Sequence, residues 1–115
     1  MALCEFDFRR TEFLTKKYID QHRPPEDIRD KIDIGFRIEN QNVEIFKIRP
    51  SWNDPKKKIK EPVAKATFVK STRIWKIYWQ RADLKWHRYE PIPEVDDIVD
   101  FLQIVDEDEH NCFWG

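Results

Sequence analysis

Glycine is nearly absent from this chain of 115 residues, which contains only Gly35 and Gly115. Glycine-rich loops are what allow backbone amides to cradle phosphates, so this scarcity argues against P-loop and dinucleotide-binding chemistry. The two cysteines, Cys4 and Cys112, are too few for a secreted disulfide framework. No apolar run is long enough to span a bilayer, and the first residues lack the pattern of a signal peptide. We therefore expect a cytoplasmic protein with reduced thiols and no membrane association.

Lysine and arginine are missing from the last quarter of the chain. All 21 of them lie between Arg9 and Arg88, whereas the segment from Tyr89 onward carries nine acids. This asymmetry indicates either an anionic partner for the basic part or an acidic segment that lies against its own basic body. Aromatic residues are abundant, which argues against disorder, and the length suits one domain over residues 1–115.

A helix is predicted near each end of the chain. Asp7 is the expected N-cap of the first, which should run to about His22 and end before Pro24-Pro25, with one further helical turn at residues 26–28. Its predicted packing face is aromatic and aliphatic, comprising Phe6, Phe13, Leu14 and Tyr18. The second helix is predicted from apolar residues at helical spacing, namely Val95, Ile98, Val99, Leu102 and Val105. Acids that favour a helix N-terminus occupy its expected first turn, namely Glu94, Asp96 and Asp97.

The segment between the helices is typical of antiparallel strands. Residues 32–39 alternate apolar and polar, and Asn40-Gln41-Asn42 favours a tight turn. Further strands are predicted at residues 43–49, 63–70, 73–79 and 85–89, whereas residues 51–62, which are rich in lysine and proline, are expected to form a polar loop. No crossover separates the strands. The sequence therefore predicts an α+β fold with an N-terminal helix, a five-stranded antiparallel β-meander, a C-terminal helix packed on the sheet and a short aromatic tail.

The tail residues Phe113-Trp114-Gly115 have two interpretations. The rings either fill a groove beside the sheet and anchor the last helix, or they form a docking peptide for a partner. We favour the anchor, because exposed terminal Trp and Phe side chains promote association.

Cations and aromatic rings are interleaved between Lys47 and Arg88, a stretch with thirteen Lys or Arg and only three acids. Single-stranded nucleic acid is bound by cations that follow the phosphates and by rings on which bases stack. The simpler alternative is that the rings fill the core while the cations face water. The residues predicted for a binding face are Arg49, Trp52, Arg81, Lys85, Trp86, His87 and Arg88.

A small ribonuclease-like hydrolase is the alternative function. His87 would act as general base, together with Arg81, Arg88 and Tyr89. Ribonucleases of this kind are basic overall, whereas this chain has a formal net charge of −1. We therefore favour a non-enzymatic binding module for nucleic acid or an acidic protein surface. A third alternative is a structural protein that forms homo-oligomers. No cofactor and no metal site is predicted.

Four short motifs are distributed along the chain: Arg49-Pro50-Ser51-Trp52, Trp75-x-x-Tyr78-Trp79, Trp86-His87-Arg88-Tyr89-Glu90-Pro91 and Cys112-Phe113-Trp114-Gly115. In combination they resemble a family of short bacterial proteins classed only as a domain of unknown function. Ser51 departs from that pattern, since many members have a second proline there. The resemblance implies a bacterial source and a free-standing domain, and it transfers no activity, cofactor or catalytic residue to this chain.

Overall fold

The computed structural model describes residues 3–114, so Gly115 of the predicted tail lies outside the described residues. The predicted α+β architecture is confirmed, with helices near both ends of an antiparallel sheet. The elements in chain order are α1 (Glu5–His22), a 3-10 turn (Glu26–Ile28), β1 (Asp33–Glu39), β2 (Asn42–Ser51), β3 (Asp54–Val69), β4 (Ile74–Gln80), β5 (Trp86–Arg88), β6 (Glu94–Val95) and α2 (Ile98–Glu107). Within residues 3–114 there is no helix of the length and apolar character needed to cross a membrane.

The sheet is a meander in which β1 to β5 are neighbours in chain order. The sequence did not predict the additional strand β6. Both β5 and β6 pair with the same edge of β4, β5 with residues 78–80 and β6 with residues 75–76. β5 and β6 therefore form one interrupted edge strand. Pro91 and Pro93 lie in the interruption, where neither needs to donate a hydrogen bond to the sheet.

The start and the buried face of α1 differ from the prediction. The helix begins at Glu5, so Asp7 lies inside the first turn, and its carboxylate accepts a hydrogen bond from the Cys4 thiol at 3.2 Å. Phe6 and Phe13 are 74% and 66% exposed. The residues that α1 buries are Thr11, Thr15, Tyr18 and Ile19, and Leu14 is half-buried against the core. The predicted face is therefore confirmed for Leu14 and Tyr18 and wrong for Phe6 and Phe13. Two small threonines, rather than these large rings, let the helix approach its neighbours closely.

β3 replaces most of the predicted loop at residues 51–62. Only Trp52 and Asn53 form the turn. Across the β2–β3 ladder, Ile48 pairs with Lys60 and Arg49 pairs with Ile59. The prolines that suggested a loop lie beside irregularities of the ladder, Pro55 near the register shift at Pro50/Ser51 and Pro62 near the shift at Ile45/Phe46. Proline is tolerated at such bulges, because a bulge leaves an amide without a ladder partner.

The core lies between one face of the sheet and the two helices. α1 contacts β1 and α2, while α2 contacts β3, β4 and β6. Alternate strand residues that face the helices are fully buried, namely Val43, Ile45, Ala64, Ala66 and Ile77. The predicted two-sided pattern of the fourth strand is therefore confirmed on its buried side, where Trp75 and Ile77 point towards the helices.

α2 begins three residues later than the predicted apolar pattern. Asp97 is its N-cap and accepts a hydrogen bond from the Val99 amide at 3.1 Å, so Glu94 and Val95 belong to β6 rather than to the first helical turn. Val99 is exposed, and Phe101, which the prediction omitted, is fully buried. Compared with the predicted face, the helix is thus rotated about its axis so that the Phe101 ring enters the core.

The aromatic tail is an anchor, as favoured from the sequence. Phe113 is 6% exposed and its ring centroid lies 5.0 Å from that of Tyr89. The Trp114 indole donates to the Val105 carbonyl at 3.1 Å, and the Asp108 carboxylate accepts from both tail amides. Asp108 itself ends α2 in the left-handed conformation, which turns the chain back over the core.

Candidate functional site

The side of the sheet opposite the helices is uncovered within residues 3–114, and we call it the outer face. Side chains alternate across a strand, so residues between the buried positions lie on this face. The strand registers align one row of them across the five strands from β1 to β5. That row consists of Arg37, Glu44, Lys65, Tyr78 and Arg88.

Lys65 lies at the centre of the outer face between two aromatic rings. Its Nζ is 5.0 Å from the Tyr78 ring centroid and 4.9 Å from that of Trp86. Burial against these rings lowers the pKa of Lys65, and Glu44, opposite it on β2, acts in the other direction. Glu44 itself accepts a 2.6 Å hydrogen bond from Arg37. The centre of the outer face therefore combines rings with a partly desolvated cation.

Beyond the outer face, β2 and β3 continue as a two-stranded ribbon, which we define as residues 49–61. β1 pairs with β2 only up to Ile48, and β4 pairs with β3 only from Ala64 onward, so neither strand flanks the ribbon. The ribbon contains five cations and two acids. The Arg49 guanidinium donates to Glu61 at 2.6 Å, and Lys58 Nζ donates to the Asp30 carbonyl at 2.8 Å. The first contact ties the two strands of the ribbon to each other, and the second holds the ribbon against the body of the protein.

The far part of the ribbon carries its most accessible side chains. Trp52, in the turn, is 90% exposed. Lys56 and Lys57 are exposed, and neither side chain forms a hydrogen bond or ion pair with another residue of the described chain. Lys60 lies nearer the body, on the outer face, with its Nζ 4.9 Å from the Phe46 ring centroid. The ribbon therefore presents an exposed ring beside cations that are not engaged in ion pairs within residues 3–114.

The acidic segment lies on the other side of the molecule. α2 packs on the helix side of the sheet, and its acids pair with α1: Arg10 donates twice to Asp97 at 3.0 Å, and His22 lies 2.8 Å from Asp106. The hydrogen bond from Arg10 is the main reason that the pKa of Asp97 is lowered. The pair of Glu94 with Arg88, at 3.3 Å, is the acidic segment's ion pair with the outer face. The acids of α2 therefore lie away from the ribbon, although the acidic segment pairs with Arg10 of α1 and with Arg88 of the outer face.

The seven residues predicted for a binding face do not form one patch. Arg49 and Trp52 belong to the ribbon, while Trp86 and Arg88 lie on the outer face. The other three surround the turn between β4 and β5, where His87 is opposite Trp79 on the helix side of the sheet; they are Arg81, Lys85 and His87. The prediction included Arg88 of the row across the sheet, omitted its other four members, and treated the ribbon lysines as part of a loop. The sequence pattern that could have placed these lysines on a strand is the alternation of cations with apolar residues in β3. Two prolines in that stretch made it look like a loop.

The turn between β4 and β5 forms a cleft of about 220 Å³ beside His87, and Cys112 also lines it. His87 Nε2 lies 2.8 Å from Asp83, whose pKa is lowered first by the Lys85 amide and then by His87. Burial raises the pKa of Cys112, so its nucleophilic thiolate form is disfavoured. Tyr89, predicted as a partner of His87, is 2% exposed and packs on Phe113 instead. Among residues 3–114, no three His, Cys, Asp or Glu side chains cluster as metal ligands would.

A family model described as "Domain of unknown function (DUF3024)" matches residues 3–115. A search of curated proteins and a search of solved structures each found no match. The family description names no activity, partner or site residue. Function must therefore be argued from the surface of this chain.

Proposed function

The chain belongs to this family of domains of unknown function, and from its surface we propose that it binds single-stranded nucleic acid through the ribbon and the outer face. The observation that carries the proposal is the ribbon itself. Lys56 and Lys57 are exposed cations whose side chains form no ion pair within residues 3–114, next to a tryptophan that is 90% exposed. This combination of free cations and an accessible ring is what a single strand requires.

The phosphates would follow the cations of the ribbon and the outer face. Lys58 and Lys60 are two residues apart on one side of β3, about 6.6 Å from each other at the usual rise of a strand. Lys65 continues the same side towards the centre of the sheet. Nucleic acids release counterions when cations replace them at the phosphates, so affinity should fall as salt is added.

The bases would stack on exposed rings. The Trp52 side chain is exposed at the end of the ribbon, and a stacked base typically contributes about 1–3 kcal/mol. A single strand is favoured over a duplex, because bases inside a duplex are already stacked on each other and do not offer their faces to a side chain. An acidic protein would also be attracted by the lysines, but it would gain little from the indole.

The position of the acidic helix supports the proposal. An acidic segment lying over the lysines would compete with phosphates for them. Instead Asp97 and Asp106 pair with Arg10 and His22 on the opposite side of the sheet. The ribbon and the outer face are therefore free of intramolecular competition from α2.

Charge reversal on the ribbon tests this proposal. We expect the double variant Lys56→Glu and Lys57→Glu to weaken binding of a fluorescently labelled single strand at least about tenfold, as measured by fluorescence anisotropy. The matched control reverses Lys16 and Lys17 on α1, which changes the net charge equally on the helix side. Equal loss of affinity in both double variants would refute the site, because it would show a response to net charge alone.

A second candidate function is carried by the His87–Asp83 pair, whose 2.8 Å contact resembles the base–orienter arrangement of hydrolases. In this alternative Arg81, which lines the same cleft as His87, would hold the phosphate near the imidazole, whereas the Arg88 guanidinium lies on the outer face and pairs with Glu94. Incubation of RNA with the wild type and with His87→Ala separates the two functions. Cleavage that disappears in the variant supports the hydrolase, and intact RNA with both proteins leaves binding as the function.

A further inference from the structure

β1 is a free edge of the sheet. It pairs with β2 on one side, and within residues 3–114 no backbone hydrogen bond from outside the sheet reaches residues 33–39. Exposed edges are normally protected by short strands, prolines or bulges. The opposite edge has such protection, since it is interrupted at Pro91 and Pro93. β1 has none of these three, because it is seven residues long, contains no proline and pairs with β2 without a register shift. Its protection consists of charged side chains, namely Asp33, Arg37 and Glu39, which disfavour every partner strand that does not present the opposite charges.

We propose that a second copy of this chain pairs with β1, antiparallel to it, across a twofold axis at Gly35. The twofold axis would be perpendicular to the continuous sheet, so two residues that face each other lie on the same side of it. With the axis at Gly35, each residue faces the residue of the second copy that is equally far from Gly35 in the opposite direction along the strand. On the outer face, Asp33 of each copy then lies opposite Arg37 of the other, twice by symmetry. On the helix side, Ile34 lies opposite Phe36. Both kinds of facing pair are favourable across antiparallel strands.

The neighbouring registers are disfavoured by charge. An axis at Phe36 would place Asp33 opposite Glu39 twice, and an axis at Ile34 would place Lys31 opposite Arg37 twice. Like charges directly opposite each other destabilise a strand pair. The register centred on Gly35 is the one of these three in which the facing charges attract, so the strand specifies its own partner as a second copy.

Side chains around β1 are already arranged for this pairing. Arg23 holds Asp33 through two hydrogen bonds of 3.0 and 2.6 Å, and Glu44 accepts from Arg37. Pairing would join these ion pairs into alternating networks of four charges across the axis. The Ile34 amide donates to the Asp33 side chain rather than being confined to the ladder with β2. That amide therefore lies at the free edge, and pairing would exchange its hydrogen bond to Asp33 for one to the Phe36 carbonyl of the second copy.

Gly35 has no side chain because the Phe46 ring of the same chain occupies that space, and this absence also suits the axial position. A Cβ at residue 35 would come within 2.8 Å of Phe46 Cε1, so the ring of Phe46 occupies the space above Gly35 on the outer face. No side chain projects from the axis to separate the two strands. On the other face, the half-buried Ile34 and Phe36 would be covered further by Phe36 and Ile34 of the second copy, and Ile38 by its Ile32.

Sedimentation equilibrium of two charge variants and their mixture tests the proposal. In a homodimer of Asp33→Arg, the new arginine of each copy faces Arg37 of the other. In a homodimer of Arg37→Asp, the new aspartate of each copy faces Asp33 of the other. Each variant alone should therefore dimerise about thirtyfold more weakly than the wild type. In an equimolar mixture, every facing pair of the heterodimer joins an arginine of one variant to an aspartate of the other. The mixture should form this heterodimer with affinity near that of the wild-type homodimer, which also shows that both variants fold.

Three results would overturn the proposal. The first is a wild type that stays monomeric at every concentration, the second is undiminished dimers of either variant, and the third is a mixture that associates no better than its components. The proposal does not depend on nucleic-acid binding. The ribbon variant Lys56→Glu and Lys57→Glu should dimerise like the wild type, whatever its affinity for a single strand.

Discussion

Phe113 connects the tail to the core, and replacing it with alanine should show how much stability this anchor contributes. The side chain is 6% exposed and packs on Tyr89 with ring centroids 5.0 Å apart. Phe→Ala substitutions in cores cost about 3–5 kcal/mol of unfolding free energy. We expect a loss at the lower end of this range, about 3 kcal/mol, because the tail is able to relax into part of the cavity. With urea m-values of about 1–3 kcal/mol/M, the unfolding midpoint should fall by about 1–3 M.

Urea unfolding followed by circular dichroism measures this shift. The control is Phe13→Ala, which removes the same ring from a site that is 66% exposed on α1 and should change stability by less than about 0.5 kcal/mol. If the Phe113 variant unfolds at the wild-type midpoint, the ring contributes nothing to the core and does not anchor the tail.

Two further predictions concern the sheet and α1. Gly35→Ala should lower the melting temperature at a cost of about 1–3 kcal/mol, because the new Cβ would lie 2.8 Å from Phe46 Cε1; an unchanged melting temperature would contradict this packing. Burial raises the pKa of Tyr18 to about 12, so the folded state favours the neutral phenol. The stabilisation from Tyr18 is complete below about pH 10, where the unfolded phenol is also neutral, and should be lost between about pH 10 and 12. Urea midpoints measured against pH should show this loss in the wild type and a smaller one in Tyr18→Phe; equal losses would contradict it.

The elements with regular patterns could be predicted from the sequence. The alternation in β1, the Asn40 turn and the order of the strands all follow from local residue preferences, and the structure confirms them. The face of α1 could not be predicted in the same way. Thr11 and Thr15 are buried because a close approach of the helix favours small side chains, which is a property of the packed molecule and not of the local pattern.

The outer face depends on a bulge that the sequence does not reveal. Lys60 and Lys65 are five residues apart, so in a regular strand they would lie on opposite faces. The register shift between Ile45 and Phe46 inserts one extra residue into β3 and brings both lysines to the same face. The candidate site therefore follows from an irregularity of strand pairing, whereas the sequence shows only that cations and rings are interleaved.

The location of the acidic helix bears on both interpretations of the charge asymmetry: its acids pair with α1 of the basic part, but they do not cover the basic strands. Sequence alone left open whether α2 covers the basic strands. Its apolar residues, led by Phe101 and Ile98, face the side of the sheet that α1 also covers, and its acids pair with α1. The lysines of the ribbon therefore remain available to an external anion, which is the basis of the proposed function.

The salt dependence of single-strand binding tests that function most directly. If Lys56 and Lys57 each neutralise a phosphate, log affinity should fall linearly with log salt, and the double charge-reversal variant should lose about 1.4 from that slope. Trp52→Ala should lower the affinity about 5- to 150-fold while leaving the slope unchanged, because stacking releases no counterions. Identical slopes for the wild type and the lysine variant would contradict the account, since they would show that the ribbon lysines do not contact phosphates.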